Sequence, residues 1–132
     1  MNIHHIAIWT QDIKQLSEFY SRYFNCIAGE RYKNPKKNFE SFFLSFPEGA
    51  GIELMSHVDV YRNASDISIG LAHFAIHLGS VEAVDAMTKQ LECDGVIIES
   101  NPRYTGDGYY ESVVLDPDGN RIELTAGKIN DM

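Results

Sequence analysis

This 132-residue chain has little cysteine, little proline, a deficit of basic residues and no long apolar run. Its two cysteines, Cys26 and Cys93, fall at the ends of expected helices and form no CxxC pair, so neither a disulfide framework nor a cysteine-based zinc site is expected. Reduced thiols and a cytoplasmic location are the corresponding expectations. Eleven Lys and Arg stand against nineteen Asp and Glu, a formal net charge of −8, which argues against nucleic acid or an anionic membrane as a partner. The one basic cluster, Arg31, Lys33, Lys36 and Lys37, reads as a solvated loop. No apolar run approaches the roughly 18 residues of a membrane span, and the N-terminus shows no basic-then-apolar signal pattern. With 44% hydrophobic residues, the composition is that of one globular domain able to bury a core of its own.

What is present is a long internal repeat. His5-Ile6-Ala7-Ile8 reappears as His73-Phe74-Ala75-Ile76, an offset of 68, and Phe39-Glu40-Ser41 matches Tyr110-Glu111-Ser112 at 71. Pro47-Glu48-Gly49-Ala50-Gly51-Ile52-Glu53-Leu54 matches Pro117-Asp118-Gly119-Asn120-Arg121-Ile122-Glu123-Leu124 at 70. One domain over 1–132, built of two homologous halves (about 1–60 and 70–127), is the expected organisation. Each half predicts a strand (3–9 and 71–78) and then a helix (12–24 and 81–93) from apolar residues at helical spacing. Clear strands follow at 39–46 and 51–56, then at 110–115 and 121–125, with weaker candidates at 27–32 and 95–99. The unit is βαβββ, twice, an α+β fold. Residues 57–69 read as a linker and 128–132 as a frayed end.

Strand parity sorts the polar residues. Ile6 and Ile8 share one face of the first strand, while His5, Ala7 and Trp9 share the other. His73, Ala75 and His77 repeat that pattern, and Glu53 and Glu123 each sit between two large aliphatics. His4 falls on the Ile6 side, as a partly exposed packing residue. If the sheets curve, the polar faces line a cavity holding His5, Glu53, His73 and Glu123. Two imidazoles and two carboxylates suit a divalent metal with positions left for water and substrate.

On His5 with Asp12 seven residues later, Phe19-Tyr20, Gly51-Ile52-Glu53-Leu54, Leu71-Ala72-His73 and the closing Asp116-Pro117-Asp118-Gly119-Asn120-Arg121-Ile122-Glu123-Leu124, the sequence resembles the vicinal oxygen chelate superfamily. The resemblance runs over about residues 3–126. It implies paired βαβββ modules in a curved, partly open mixed sheet around a metal-binding cavity. The ligand order His, Glu, His, Glu is most similar to glyoxalase I, whereas the related epimerases carry Gln where Glu53 stands. That likeness implies a metal-dependent lyase or isomerase of the lactoylglutathione lyase type, acting on a small carbonyl compound through an enediolate. Metal ligands would be His5, Glu53, His73 and Glu123, with Glu123, and secondarily Glu53, as the catalytic carboxylates. The metal would be Ni, Zn, Co, Mn or Fe, and the protein a homodimer whose sites lie within one chain or across two. Another enzyme of the superfamily, or a metal-free small-molecule binder, are the alternatives. Where glyoxalase I has an arginine four residues past its first ligand this chain has Trp9. Its glutathione-anchoring asparagine is here His57, and its lysine-bearing loop is Tyr104-Thr105-Gly106-Asp107-Gly108-Tyr109, without lysine. Trp9, His77, Arg103 and Tyr109 are the expected substrate-pocket residues, Arg103 as a replacement anion contact.

Overall fold

A computed structural model describes residues 1–60 and 69–128. The chain divides into two compact units, residues 1–63 and 64–132. In the first, β1 (His5–Trp9) leads into α1 (Ile13–Tyr23), followed by β2 (Ile27–Ala28), β3 (Tyr32–Asn34), β4 (Phe39–Ser45) and β5 (Gly51–His57). In the second, β6 (Phe74–His77) leads into α2 (Val81–Cys93), then β7 (Ile98–Tyr104), β8 (Tyr109–Leu115) and β9 (Arg121–Lys128). The first sheet runs β1-β5-β4-β2 with β3 also on β4, and the second β6-β9-β8-β7. In each, the first and last strands pair in parallel and the rest antiparallel, so both sheets are mixed and open.

The helices start where their caps dictate. Asp12 Oδ1 accepts the Gln15 N–H at 2.9 Å, and Ser80 Oγ accepts that of Ala83 at 3.1 Å. At the end of α2, Gly95 takes φ +88°, and the Gly95 and Val96 N–H groups close back onto the Glu92 and Leu91 carbonyls. The apolar face of α1 buries Ile13, Leu16, Phe19 and Tyr20 against the sheet side of Leu44, Ile52 and Leu54. In the second unit, Val84 and Leu91 of α2 meet the side of Val114, Ile122 and Leu124. Each such aliphatic contributes about 1.5–3 kcal/mol on burial. The bond between the Thr88 and Ser112 hydroxyls, 2.7 Å long, satisfies two buried polar groups where α2 meets β8.

Three expectations shift. The weak 27–32 strand is two short pieces, β2 and β3, both on β4. The 95–99 strand lies later, at Ile98–Tyr104, and runs through Pro102. As the edge strand of its sheet, β7 can lack that N–H, and its register slips between Ile98 and Ser100 and again before Arg103. The Phe39-Glu40-Ser41 match at offset 71 is not structural. Phe43 faces Glu53 and Val113 faces Glu123, so Glu111 corresponds at offset 70 to Ser41, not to Glu40. The expected linker runs partly outside the described residues, as does the frayed end after Lys128, which itself closes β9.

Candidate metal centre

Both modules bring a histidine to a glutamate by the same register. Ala7 of β1 stands opposite Glu53 of β5, and Ala75 of β6 opposite Glu123 of β9. The histidine lies two residues earlier on that face, His5 opening β1 and His73 one position ahead of β6. It leans diagonally over the small alanine toward the carboxylate. His5 Nε2 comes to 3.7 Å from Glu53 Oε2, and His73 Nε2 to 2.7 Å from Glu123 Oε2. The glutamates are partly shielded and the imidazoles about two-fifths exposed, while Ile52, Leu54, Ile122 and Leu124 point into the cores.

The surroundings of the two pairs differ. In the first module Phe43 faces Glu53 directly, its ring edge-on to His5 with centroids 5.4 Å apart. Trp9, 54% exposed, stands edge-on to Phe39, which Tyr32 also meets. Arg31 and Lys33 both pair with Glu40, which takes the Leu44 side of β4. Past the aromatic strip, a cavity of about 590 Å³ opens between Phe39, His57, Asn34, Gln11 and the Lys33–Glu40 pair. In the second module the equivalent face is charged. Glu111, two residues before Val113 on β8, hydrogen-bonds to Glu123. Burial first, and then that bond and the Glu123 charge, push the Glu111 carboxyl above the usual range, against the pull of Arg103 at 3.7 Å. Parity alone carries the signal for Glu111, since Tyr110, Ser112 and Val114 on either side are buried.

The other expected pocket residues divide between the modules. His77 extends the His73 face, its ring over Gly127. Arg103 sits on edge strand β7 and also reaches the Glu111 carbonyl at 3.4 Å, and Tyr109 starts β8 beneath the Lys128 ammonium. Trp9 belongs to the first module. His4 departs from its expected packing place: it precedes β1, is exposed, and brings its Nδ1 to 2.9 Å from His5 Nδ1. Among the described residues, no three His, Cys, Asp or Glu side chains gather closely enough to hold a metal ion. Each module thus offers two donors, fewer than the three of a catalytic zinc site.

The hairpin that carries Glu123 has its own anchor. The buried Asp116 carboxylate accepts the Asp118 and Asn120 N–H groups, both at 2.9 Å, and the Asn120 amide at 2.8 Å. The Asp-Pro-Asp-Gly-Asn motif is therefore a turn device that sets the start of β9. The family model of the Glyoxalase/Bleomycin resistance protein/Dioxygenase superfamily matches residues 2–124, motif and both His–Glu pairs included.

The chain belongs to this superfamily.

Solved structures agree on the glyoxalase-like fold. A glyoxylase/bleomycin resistance protein/dioxygenase domain from Frankia sp. EAN1pec matches with a TM-score of 0.84 at 16% identity, over 97% of this chain and 98% of that one. Glyoxalase I from Zea mays matches with a TM-score of 0.79 at 22% identity, over 96% of this chain but 45% of its own. The trypanothione-dependent glyoxalase I of Leishmania major gives 0.76 at 21%, over 95% and 86%. No curated protein matches the sequence. No helix among the described residues of this glyoxalase-superfamily chain is long and apolar enough to cross a membrane.

Proposed function

We propose that the protein is a metal-dependent enzyme of the glyoxalase I type, isomerising a small carbonyl compound through an enediolate. The reading rests on one observation: both modules present a His–Glu pair at the same register on a partly exposed face, 3.7 and 2.7 Å apart. Two neutral imidazoles and two carboxylates fit a divalent ion such as Ni, Zn, Co, Mn or Fe. His5 and Glu53 would hold it together with His73 and Glu123, the two modules acting as one glyoxalase-like domain in a cytoplasmic homodimer. Two donors per module are half of such a shell.

A bound ion supplies the positive charge that stabilises an oxygen anion as a proton leaves the neighbouring carbon. Glu123 acts as the base, taking that proton and returning it to the adjacent carbon. To do so, its Oε2 leaves the 2.7 Å contact with His73. Glu53 serves chiefly as a ligand. Trp9, with Phe39 and Phe43, holds an apolar part of the substrate, whereas His77, Arg103 and Tyr109 meet its polar part. The aromatic strip argues against a large anionic thiol tail beside His5.

The test is elemental analysis of purified and reconstituted protein, followed by assay of hemithioacetals of glutathione and of other thiols with Ni, Co, Mn and Zn. Glu123→Gln should lose turnover and retain much of the metal. A second reading, a metal-free small-molecule binder, is favoured by the direct His73–Glu123 bond, which satisfies both groups without an ion. Protein that takes up no metal on reconstitution decides for that reading.

A further inference from the structure

Beyond each His–Glu pair, strand register lays one further row of side chains on the same face. In the first module Trp9 stands opposite Met55, Met55 opposite Ser41, and Ser41 opposite Tyr32, one pair past the row of Ala7, Glu53 and Phe43. The second module repeats the row with other chemistry. There His77 stands opposite Thr125, Thr125 opposite Glu111, and Glu111 opposite Arg103, one pair past Ala75, Glu123 and Val113. Two rings, a thioether and a hydroxyl in one module thus replace an imidazole, a hydroxyl, a carboxylate and a guanidinium in the other.

The first row suits a flat apolar group. Phe39 leans into it from the pair beyond, its ring 6.4 Å from Trp9 at 89° and 6.1 Å from Tyr32 at 60°, so three rings follow one another across the sheet. Trp9 and Tyr32 nevertheless remain 54% and 55% exposed. Aromatic rings attract a further ring edge-on or in offset stacks, at centroid distances of about 4.5–7 Å. On the second row the same ring would strip water from charged groups at a cost in free energy. The first row lies two residues, about 7 Å, along the strands from Glu53, within reach of a ring bonded to a carbonyl carbon held there. We propose that Trp9, Phe39 and Tyr32 form a specificity subsite for an aromatic ring, so that the substrate is an aryl carbonyl compound. The proposal rests on the reading of Glu53 as part of the reacting site, but ring binding is measurable without turnover.

Trp9 is the one tryptophan of the chain, so its indole N–H gives a single ¹H–¹⁵N peak. Metal-free and zinc-reconstituted protein are titrated with α-hydroxyacetophenone and with hydroxyacetone, which differ only in carrying a phenyl or a methyl group. The phenyl compound should move the Trp9 peak and bind about 10–100-fold more tightly. Phe39→Leu and Tyr32→Ser should each weaken it about 2–12-fold and leave hydroxyacetone unaffected. Tyr104→Ser, which removes an exposed ring of the second module, should change neither. Equal affinity for the two compounds overturns the proposal, as does a phenyl preference that survives both Phe39→Leu and Tyr32→Ser or that Tyr104→Ser lowers as much. Assay of the hemithioacetals of phenylglyoxal and methylglyoxal with mercaptoethanol separates this proposal from the enzymatic reading. Turnover without preference for phenylglyoxal keeps the enzyme and sinks the subsite. A phenyl preference at Trp9 in protein that turns over neither keeps the subsite and sinks the enzyme.

Discussion

Gly51 ties the folding of the first sheet to the geometry of its His–Glu pair. It stands opposite His5 in the β1–β5 ladder, and the Phe43 ring lies over it. A Cβ added there would fall 2.6 and 2.8 Å from two Phe43 ring carbons and 2.8 Å from the Leu44 carbonyl oxygen. Carbon atoms at rest sit about 3.5–4 Å apart, so the ring must move by about an ångström while the backbone carbonyl cannot. Such overpacking costs about 1–3 kcal/mol. The reduced freedom of the unfolded chain returns about 0.4–1 kcal/mol. Gly51→Ala is therefore expected to lose roughly 1–2 kcal/mol, which lowers Tm by about 3–8 °C for a chain of this size.

Gly106 is the control, because its Cβ would meet nothing within 4 Å and its backbone is not left-handed. Gly106→Ala should melt at or slightly above wild type. Calorimetry on both variants and on Gly51→Ala/Phe43→Leu reads the outcome, the double variant regaining part of the loss because the smaller side chain clears the new methyl. Gly51→Ala melting with wild type, or a double variant whose losses simply add, would refute the packing argument.

Tyr110 donates to Asp85 at 2.5 Å beneath the stacked Tyr104 ring. That bond, then burial, then repulsion between a phenolate and Asp85 push its pKa up to about 12 from the usual 10. The fold therefore favours the neutral phenol. The stabilisation is whole below pH 10 and drains away as pH rises toward 12. Tyr110→Phe should be less stable by about 1.5–3 kcal/mol at neutral pH, a gap that denaturant titrations should find shrinking across that window. Asp116→Ala removes the acceptor of three bonds in the Glu123 hairpin and should cost on the order of 2–3 kcal/mol by urea unfolding. Asp116→Glu, which has the charge but the wrong reach, should recover only a minor part.

Much of this molecule is legible in the residue order because its signals are local. Alternation along 5–9, 51–57 and 121–128 assigns Ile52, Leu54, Ile122 and Leu124 to the cores and the His and Glu residues to the other side, a consequence of the two-residue strand period. Asp12 and Ser80 mark the helix starts because each cap bonds a backbone N–H three residues away. The Asp-Pro-Asp-Gly turn is visible for the same reason. Where local identity and strand pairing disagreed, identity misled: Glu40 resembles Glu111 in its neighbours, yet β4–β5 and β8–β9 pairing puts Ser41 in its place.

Only the folded chain decided what crosses between strands. Pro102 is tolerated inside β7 because that strand ends the sheet, a position no local pattern specifies. Glu111 reaches Glu123, and Arg103 reaches Glu111, through registers set by bulges between β7 and β8 and at the start of β8. His4 turns to the ring it was expected to point away from, although its carbonyl still accepts the Gly51 N–H of β5. Alternation assigned the faces. The lengths of the two His–Glu contacts, 3.7 and 2.7 Å, came from packing around each pair, aromatic in one module and charged in the other.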